Sequence, residues 1–254
     1  MDLGLKGRRA LVTGGTRGIG RAIALALAAE GVDVGICARD GAAVAATVEV
    51  LQARGVRAEG RALDVADGEA LKAWVTETAT RFGGLDILVA NTSAMAEGAT
   101  EAEFRKAFEV DVLHTLNAVT AALPFLARSA GGSIVAISSI SGSEDYGYAG
   151  VSYGAMKAAL LFYMKSLARH VAPQGIRANV VSPGTTYFTG GFWHEVEIRD
   201  PQGFAETLAE NPTGRMARPE EVANAVVFLA SDAASFVSGT NLVVDGTLTR
   251  RIQL

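Results

Sequence analysis

One cysteine, Cys37, in 254 residues rules out an intrachain disulfide and fits a reducing compartment. It lies in an apolar run that reads as a buried strand, so an inert core thiol is expected rather than a nucleophile. Only three histidines occur, His114, His170 and His194. They are far apart and lack metal-ligand spacing, so no metal is expected and each reads as a surface or helix-packing residue. Basic residues are not in excess: Lys and Arg number 23 against 27 Asp and Glu, a net charge of −4. That leaves no basic stripe for nucleic acid and no polybasic patch for a membrane. No apolar run approaches the ~18 residues of a membrane span, and the opening M-D-L-G-L-K-G-R-R has no apolar signal core. A soluble, cytoplasmic protein is the expectation.

Apolar residues make up 49% of the chain and charged residues 20%, enough for one large core. Short apolar runs alternate with helix-period segments throughout. The runs are Leu11–Thr13, Asp33–Ala38, residues 56–62, Asp86–Ala90, Ser133–Ser139, Ile176–Ser182 and Asn241–Asp245. Helices are expected between them, among them one long helix over 101–128 with Phe104, Phe108, Val112 and Leu116 on its apolar side, and a last helix from Pro219 to Ala230. Alternation of this kind implies an α/β fold: a doubly wound, seven-stranded parallel sheet with helices on both faces. No repeat or linker interrupts it, so residues 1–254 read as a single domain. Residues 185–215 lack a clear period and carry Tyr187, Phe192 and Trp193, which suggests a lid over a pocket. Phe192 and Trp193 form either an apolar substrate wall or lid packing.

After the first strand comes G-G-T-R-G-I-G, then an alanine-rich helix to Glu30. Strand, glycine turn and helix is the setting in which Gly14, Gly18 and Gly20 let a backbone approach a pyrophosphate at a helix N-terminus. The second strand ends Ala38-Arg39-Asp40. A carboxylate at that tip takes ribose hydroxyls, whereas arginine accommodates a 2′-phosphate. Arg39, with Arg17 as a second guanidinium, therefore favours NADP(H) over NAD(H). Further along, Ser152–Arg169 has no proline and repeats Ala155, Ala158, Ala159, Phe162 and Leu167 at helical spacing. These residues read as a buried face, with Ser152 as N-cap. Tyr153 and Lys157, four apart, share one side of that helix. An ammonium ~4 Å from a phenol at an effective dielectric of ~20 favours the phenolate by up to ~4 kcal/mol, so Tyr153 suits proton transfer to or from a carbinol oxygen.

With these elements in order, the chain resembles the short-chain dehydrogenase/reductase family over nearly its whole length, including its 3-oxoacyl reductase-like members. The matching motifs are T-G-G-T-R-G-I-G at 13–20, Asp64-Val65, Asn91, I-S-S-I-S-G at 137–142, Y-G-A-M-K at 153–157, S-P-G at 182–184 and V-D-G at 244–246. The resemblance implies a single-domain Rossmann fold and hydride transfer between NADP(H) and a ketone or secondary alcohol. Tyr153 would be the general acid/base, Lys157 would hold the nicotinamide ribose, and Ser139, chosen over Ser138 because it precedes Gly142 by three, would bind the substrate oxygen. Gly14, Thr16, Arg17, Gly18, Ile19 and Gly20 would cradle the phosphates. Asp64 and Val65 would meet the adenine, Asn91 the adenosine side of the cleft, and Pro183, Gly184, Thr185 and Thr186 the nicotinamide. Glu144, Asp145, Tyr146 and Tyr148, in a connection about one residue longer than usual, would shape the substrate site.

Two departures stand out. Asp111 occupies the place of an asparagine that normally completes the catalytic set, and Asn91-Thr92-Ser93-Ala94 lacks the glycine of the family's N-N-A-G turn. They leave open a catalytically impaired dinucleotide-binding sensor or scaffold; a non-redox relative is a further alternative. An acyl-carrier substrate is disfavoured, because Ala172-Pro173-Gln174-Gly175 lacks the arginines that an acidic carrier wants, although Arg128 lies nearby. The resemblance also implies a homotetramer or homodimer built on the long helices, with a small-molecule substrate.

Overall fold

The computed structural model describes residues 2–147 and 150–252, so Tyr148 lies outside the described residues. The strands are β1 Arg9–Thr13, β2 Asp33–Ala38, β3 Ala58–Ala62, β4 Ile87–Ala90, β5 Ser133–Ile137, β6 Arg177–Pro183 and β7 Asn241–Val244. They form one parallel sheet in the order β3-β2-β1-β4-β5-β6-β7. The order reverses between β1 and β4, which puts a cleft at the C-terminal ends of those strands. Side chains alternate across the sheet. Ala10, Val12, Ile36, Val89 and Val135 enter one core, while Leu11, Cys37, Leu88, Ala90 and Ala136 enter the other. The first core is closed by α1 Gly18–Ala29, α2 Gly41–Gln52 and α9 Pro219–Ala230, the second by α3 Gly68–Phe82, α5 His114–Leu126 and α6 Val151–Val171.

Local signals set several boundaries. Asp40 caps α2 by accepting from Ala42 and Ala43 N–H, Asp67 caps α3, and Gly83 ends α3 in the left-handed conformation. The expected long helix over 101–128 is divided: α4 Glu101–Ala107 passes through a π-helical turn, Phe108–Leu113, into α5. π-turns of this kind cluster at functional sites, and this one carries Asp111.

Three expectations are corrected. The cap of α6 is Gly150, not Ser152; Ser152 is buried and its hydroxyl donates to the Ala96 carbonyl, pinning the loop beyond β4. The buried face of α6 is Leu160, Met164, Leu167, Ala168 and Val171, while Ala158 and Ala159 are exposed and Phe162 is 78% exposed. On α4 and α5 the core side is Ala107, Asp111, His114, Thr115, Ala118 and Val119, and Phe108 and Leu116 face outward. Both helices are apolar on two sides, so periodicity alone cannot tell which side meets the sheet. Residues 185–215 are also more regular than expected: they hold α7 Phe192–Arg199 and α8 Pro201–Glu210, the latter capped by Asp200. Among the described residues no helix is long and apolar enough to cross a membrane.

Candidate active site

The glycine-rich turn runs from Thr13 to α1. Gly14 has φ +66° and Gly18 φ +52°, conformations that favour glycine. A Cβ on Gly20 would stand 2.2 Å from the Gly14 carbonyl oxygen, so only glycine lets α1 come this close. Arg17 provides no side-chain cap to α1, leaving its first N–H groups to an anion. The turn is braced from beneath. Gly14 and Gly15 N–H donate to the Cys37 carbonyl, and the Asn91 amide donates to the carbonyls of Thr13 and Gly14. Cys37 itself is a buried thiol pushed up to about 12, chiefly by burial, and so inert.

His114 is the residue the sequence reading placed least well. It is buried at 1% exposure. Its Nδ1 lies 2.9 Å from the Val110 carbonyl, so that nitrogen carries the proton, and Nε2 accepts from the Thr13 hydroxyl at 2.9 Å. Thr13 Oγ1 in turn accepts from Asn91 N–H and Thr92 N–H. Every hydrogen-bonding position of that hydroxyl is thereby used. Burial, aided by the charge of Lys157 and opposed by Asp111 and Val110, lowers the imidazole to about 4.

β5 leads to Ser138 and Ser139, then to a single 3-10 turn, Ile140–Gly142. A Cβ on Gly142 would lie 2.8 Å from the Lys157 backbone, and one on Gly154 2.8 Å from the Ser141 carbonyl. These two glycines let the turn press against the first turns of α6. The Ser138 hydroxyl is buried and donates to the Lys157 carbonyl. Ser139 Oγ accepts from Ser141 N–H, which leaves its own proton to donate.

Tyr153 is half-buried in the first turn of α6. One turn on, Lys157 is 1% exposed, with Nζ donating to the Ile137 carbonyl at 3.1 Å and lying 5.4 Å from the Tyr153 ring centroid. Nζ stands 2.9 Å from Asp111 Oδ1. That oxygen is not aligned to accept a hydrogen bond, so the contact is an ion pair. Burial pulls the Lys157 ammonium down, but the neighbouring Asp111 carboxylate outweighs it and the group titrates above its ordinary value. Asp111 Oδ2 accepts from Ala94 N–H at 3.1 Å, within the turn that lacks the family glycine. Ala94 stands where the family has glycine, and the left-handed residue falls one position later: Met95 takes φ +46° and its N–H donates to the Ser93 hydroxyl.

The lid is closed on the glycine turn: a Cβ on Gly18 would meet the Phe188 ring at 2.5 Å, and Arg17 donates to the Gly190 carbonyl at 3.3 Å. Thr186 donates to the Gly184 carbonyl. The hydroxyls of Thr92 and Thr185 are buried without a partner; these two residues follow the C-terminal ends of β4 and β6. Orphaned hydroxyls, an uncapped helix start and a turn in which a Cβ does not fit are what a bound dinucleotide would use. A separate cavity of about 360 Å³, lined by Arg9, Gly83, Gly84 and Arg128 among others, opens at the opposite end of β1 and plays no part in this site.

A family model described as enoyl-(acyl carrier protein) reductase matches residues 14–249. The isoepoxydon dehydrogenase of Penicillium expansum is 40% identical over 254 residues, covering 97% of this chain and 96% of that protein. The 3-oxoacyl-[acyl-carrier-protein] reductase of Escherichia coli is 35% identical, covering 96% and 98%. Among solved structures, L-sorbose reductase of Gluconobacter frateurii, complexed with NADPH and L-sorbose, superposes with a TM-score of 0.91 at 30% identity, covering 99% of this chain and 100% of that one. The chain belongs to the short-chain dehydrogenase/reductase family. It is an oxidoreductase of CH–OH groups.

In this short-chain dehydrogenase/reductase the fold brings Ser139, Tyr153, Lys157 and Asp111 together around the start of α6 and the π-turn. Gly14, Thr16, Arg17, Gly18, Ile19 and Gly20 lie in or beside the glycine turn, and Pro183, Gly184, Thr185 and Thr186 at the end of β6. Arg39 is exposed past β2, without a carboxylate partner among the described residues. Asp64 is exposed and accepts from Ala66 N–H, whereas Val65 is buried in the second core. Sequence reasoning missed Phe188, the structural use of His114, and Arg251. Their contacts are tertiary, and no local spacing announces them.

Proposed function

We propose that this chain is an NADP(H)-dependent ketoreductase, reversible as an alcohol dehydrogenase, acting on a small carbonyl compound. The observation that carries the reading is the fully buried Lys157 ammonium beside Tyr153, next to a turn built for a dinucleotide. Arg39 and Arg17 would take the 2′-phosphate, the N–H groups at the start of α1 the pyrophosphate, Asp64 and Val65 the adenine, and Thr185 and Thr186 the carboxamide. Asn91 would border the adenosine side of the cleft. When bound, the nicotinamide supplies or takes up the hydride.

The chain's own residues do the rest. Ser139 donates its free proton to the carbonyl oxygen and fixes its place. Tyr153 passes its phenolic proton to that oxygen as charge develops, and takes it back in the oxidative direction. Lys157 holds positive charge beside the phenol throughout, since Asp111 keeps it an ammonium, and would bind the nicotinamide ribose. The lid, with Phe188 on Gly18, covers the glycine turn.

The test is an initial-rate assay of NADPH and NADH consumption over a panel of ketones and aldehydes. Turnover with NADPH preferred is expected; failure of either dinucleotide to support any turnover would contradict the reading. The Asp111–Lys157 pair favours one second reading, a dinucleotide-binding sensor that has lost turnover, and tight NADPH binding without consumption on the whole panel would select it.

A homotetramer or homodimer is supported by the outward apolar residues Phe108, Leu116 and Phe162, which are 44%, 40% and 78% exposed on the π-turn, α5 and α6. Light scattering that gives a monomer would contradict it. A cytoplasmic location is the compatible setting for the buried free thiol of Cys37.

A further inference from the structure

The side of the π-turn and α5 that meets the sheet changes character along its length. From Ala118 onward it is apolar, with Val119, Ala122 and Leu126, whereas its first turns bury Asp111, His114 and Thr115. Packing alone would be served by an apolar side chain at 114, as it is at 118 and 119. Burying polar groups costs free energy unless they are hydrogen-bonded, and these are bonded to the site. The Thr115 hydroxyl donates to the Asp111 carbonyl and His114 Nδ1 to the Val110 carbonyl, each four residues back and both at 2.9 Å. Two carbonyls of the π-turn are thus held by the side chains that follow it, which fixes the turn where Asp111 meets Lys157.

From the same imidazole, bonds run the other way into the dinucleotide turn. Nε2 accepts from the Thr13 hydroxyl, and that oxygen accepts from the N–H groups of Asn91 and Thr92. The Asn91 amide returns to the carbonyls of Thr13 and Gly14. Two residues past Thr92, Ala94 N–H donates to Asp111 Oδ2, and the circuit closes. It runs from Thr13 through His114 to the π-turn, from Asp111 to Ala94, and back along the chain through Thr92 to Thr13. The charged and titratable groups acting on His114 are Asp111 and Lys157, and those acting on Lys157 are Asp111 and Tyr153. A buried polar network of this kind rigidifies what it joins.

We propose that His114 is a positioning residue that couples the dinucleotide turn to the Asp111–Lys157 pair, so that NADP(H) binding and the charge on Lys157 depend on one another through it. It acts through Thr13 on one side and through the π-turn and Asp111 on the other. Such coupling is reciprocal: whatever loosens the pair weakens the dinucleotide, and whatever loosens the turn disturbs the pair. The coupling rests on the ketoreductase reading for its effect on turnover, but not for its effect on binding.

The experiment is a double-mutant cycle on NADPH affinity, read by fluorescence titration of the full chain at about pH 8, where an ordinary imidazole is neutral. His114→Phe and Asp111→Asn are each expected to weaken NADPH about tenfold, the factor of one net hydrogen bond. Together they should fall well short of the ~100-fold that independent losses give, because His114→Phe already disconnects Asp111 from the turn. His114→Gln, whose amide oxygen can still accept from Thr13, should restore most of the affinity. The alkaline limb of kcat on a competent ketone is a readout that a packing role would not move. In His114→Phe it should shift to lower pH, since a carboxylate held less firmly beside Tyr153 and Lys157 lowers both titrations. Thr13→Val breaks the same link from the other end and replaces His114→Phe in the cycle should that variant not fold. Losses that simply multiply, parental affinity in the folded variants, or an alkaline limb that stays in place would overturn the coupling and leave His114 a packing residue. The affinity cycle needs no turnover, so losses that do not multiply in a chain that consumes no NADPH would support the coupling while contradicting the ketoreductase reading.

Discussion

Lys157 Nζ stands 2.9 Å from Asp111 Oδ1, with both side chains essentially removed from solvent. Removing one member of such a pair leaves a buried charge without compensation, typically at a cost of ~3–5 kcal/mol. Asp111→Asn and Lys157→Met are each expected to destabilise the fold by about that much. The double variant should cost less than the sum by roughly 2 kcal/mol. Denaturant titrations of the four proteins measure this, and strict additivity would show that the two residues are not coupled. The raised Lys157 pKa has a pH signature as well. The folded state holds this proton more tightly than the unfolded chain, so the stabilisation is whole below about pH 10.4 and is lost as pH rises through the higher folded value.

His114 makes the opposite prediction. The folded chain keeps it neutral down to about 4, against 6.5 when exposed. The unfolded state therefore binds more protons between those values, and stability is complete above about pH 6.5 and drains away as pH falls toward 4. A depression of that size is worth about 3 kcal/mol. Protonation would also turn Nε2 from acceptor to donor against a Thr13 hydroxyl whose lone pairs are already engaged by Asn91 and Thr92. His114→Gln should lose most of the drop in denaturation midpoint between pH 7 and pH 4.5. A slope equal to that of the parent would place the acid sensitivity elsewhere.

Arg39 and Arg17 are the proposed 2′-phosphate ligands. Arg39→Ala and Arg17→Ala should each reduce the ratio of NADPH to NADH affinity by about tenfold, the size of one lost charge-assisted contact. Fluorescence titration with both dinucleotides reads the ratio directly, and an unchanged ratio in both variants would remove the basis for NADP(H) preference. Arg17 must leave the Gly190 carbonyl to make such a contact, so its variant should also loosen the lid.

How much was legible beforehand follows from the range of each interaction. The glycine turn and the four-residue spacing of Tyr153 and Lys157 are local, and each is visible in a dozen residues of sequence. The choice of Ser139 over Ser138 rested on the family position three residues before a glycine, and Gly142 is where the turn meets the Lys157 backbone. What was not legible depended on which of two apolar faces met the sheet. Phe108, Leu116 and Phe162 carry a helical period as clear as that of the true core side, yet they point outward. Of the two readings of His114, surface or helix packing, burial selects the second, and its bond to Thr13 was not legible because that partner lies 101 positions away. Arg251 was overlooked because only the fold brings it to the Ser143 carbonyl, 108 positions away.

The central claim is that Tyr153 moves the proton in a carbonyl reduction for which Lys157 and the glycine turn prepare the site. Tyr153→Phe removes that proton and little else, so NADPH affinity by fluorescence titration and turnover on a competent ketone should be measured on the same preparation. The account predicts NADPH affinity close to that of the parent together with a fall in kcat of at least ~100-fold, the scale of lost general acid catalysis. Full turnover by the Tyr153→Phe protein would contradict it.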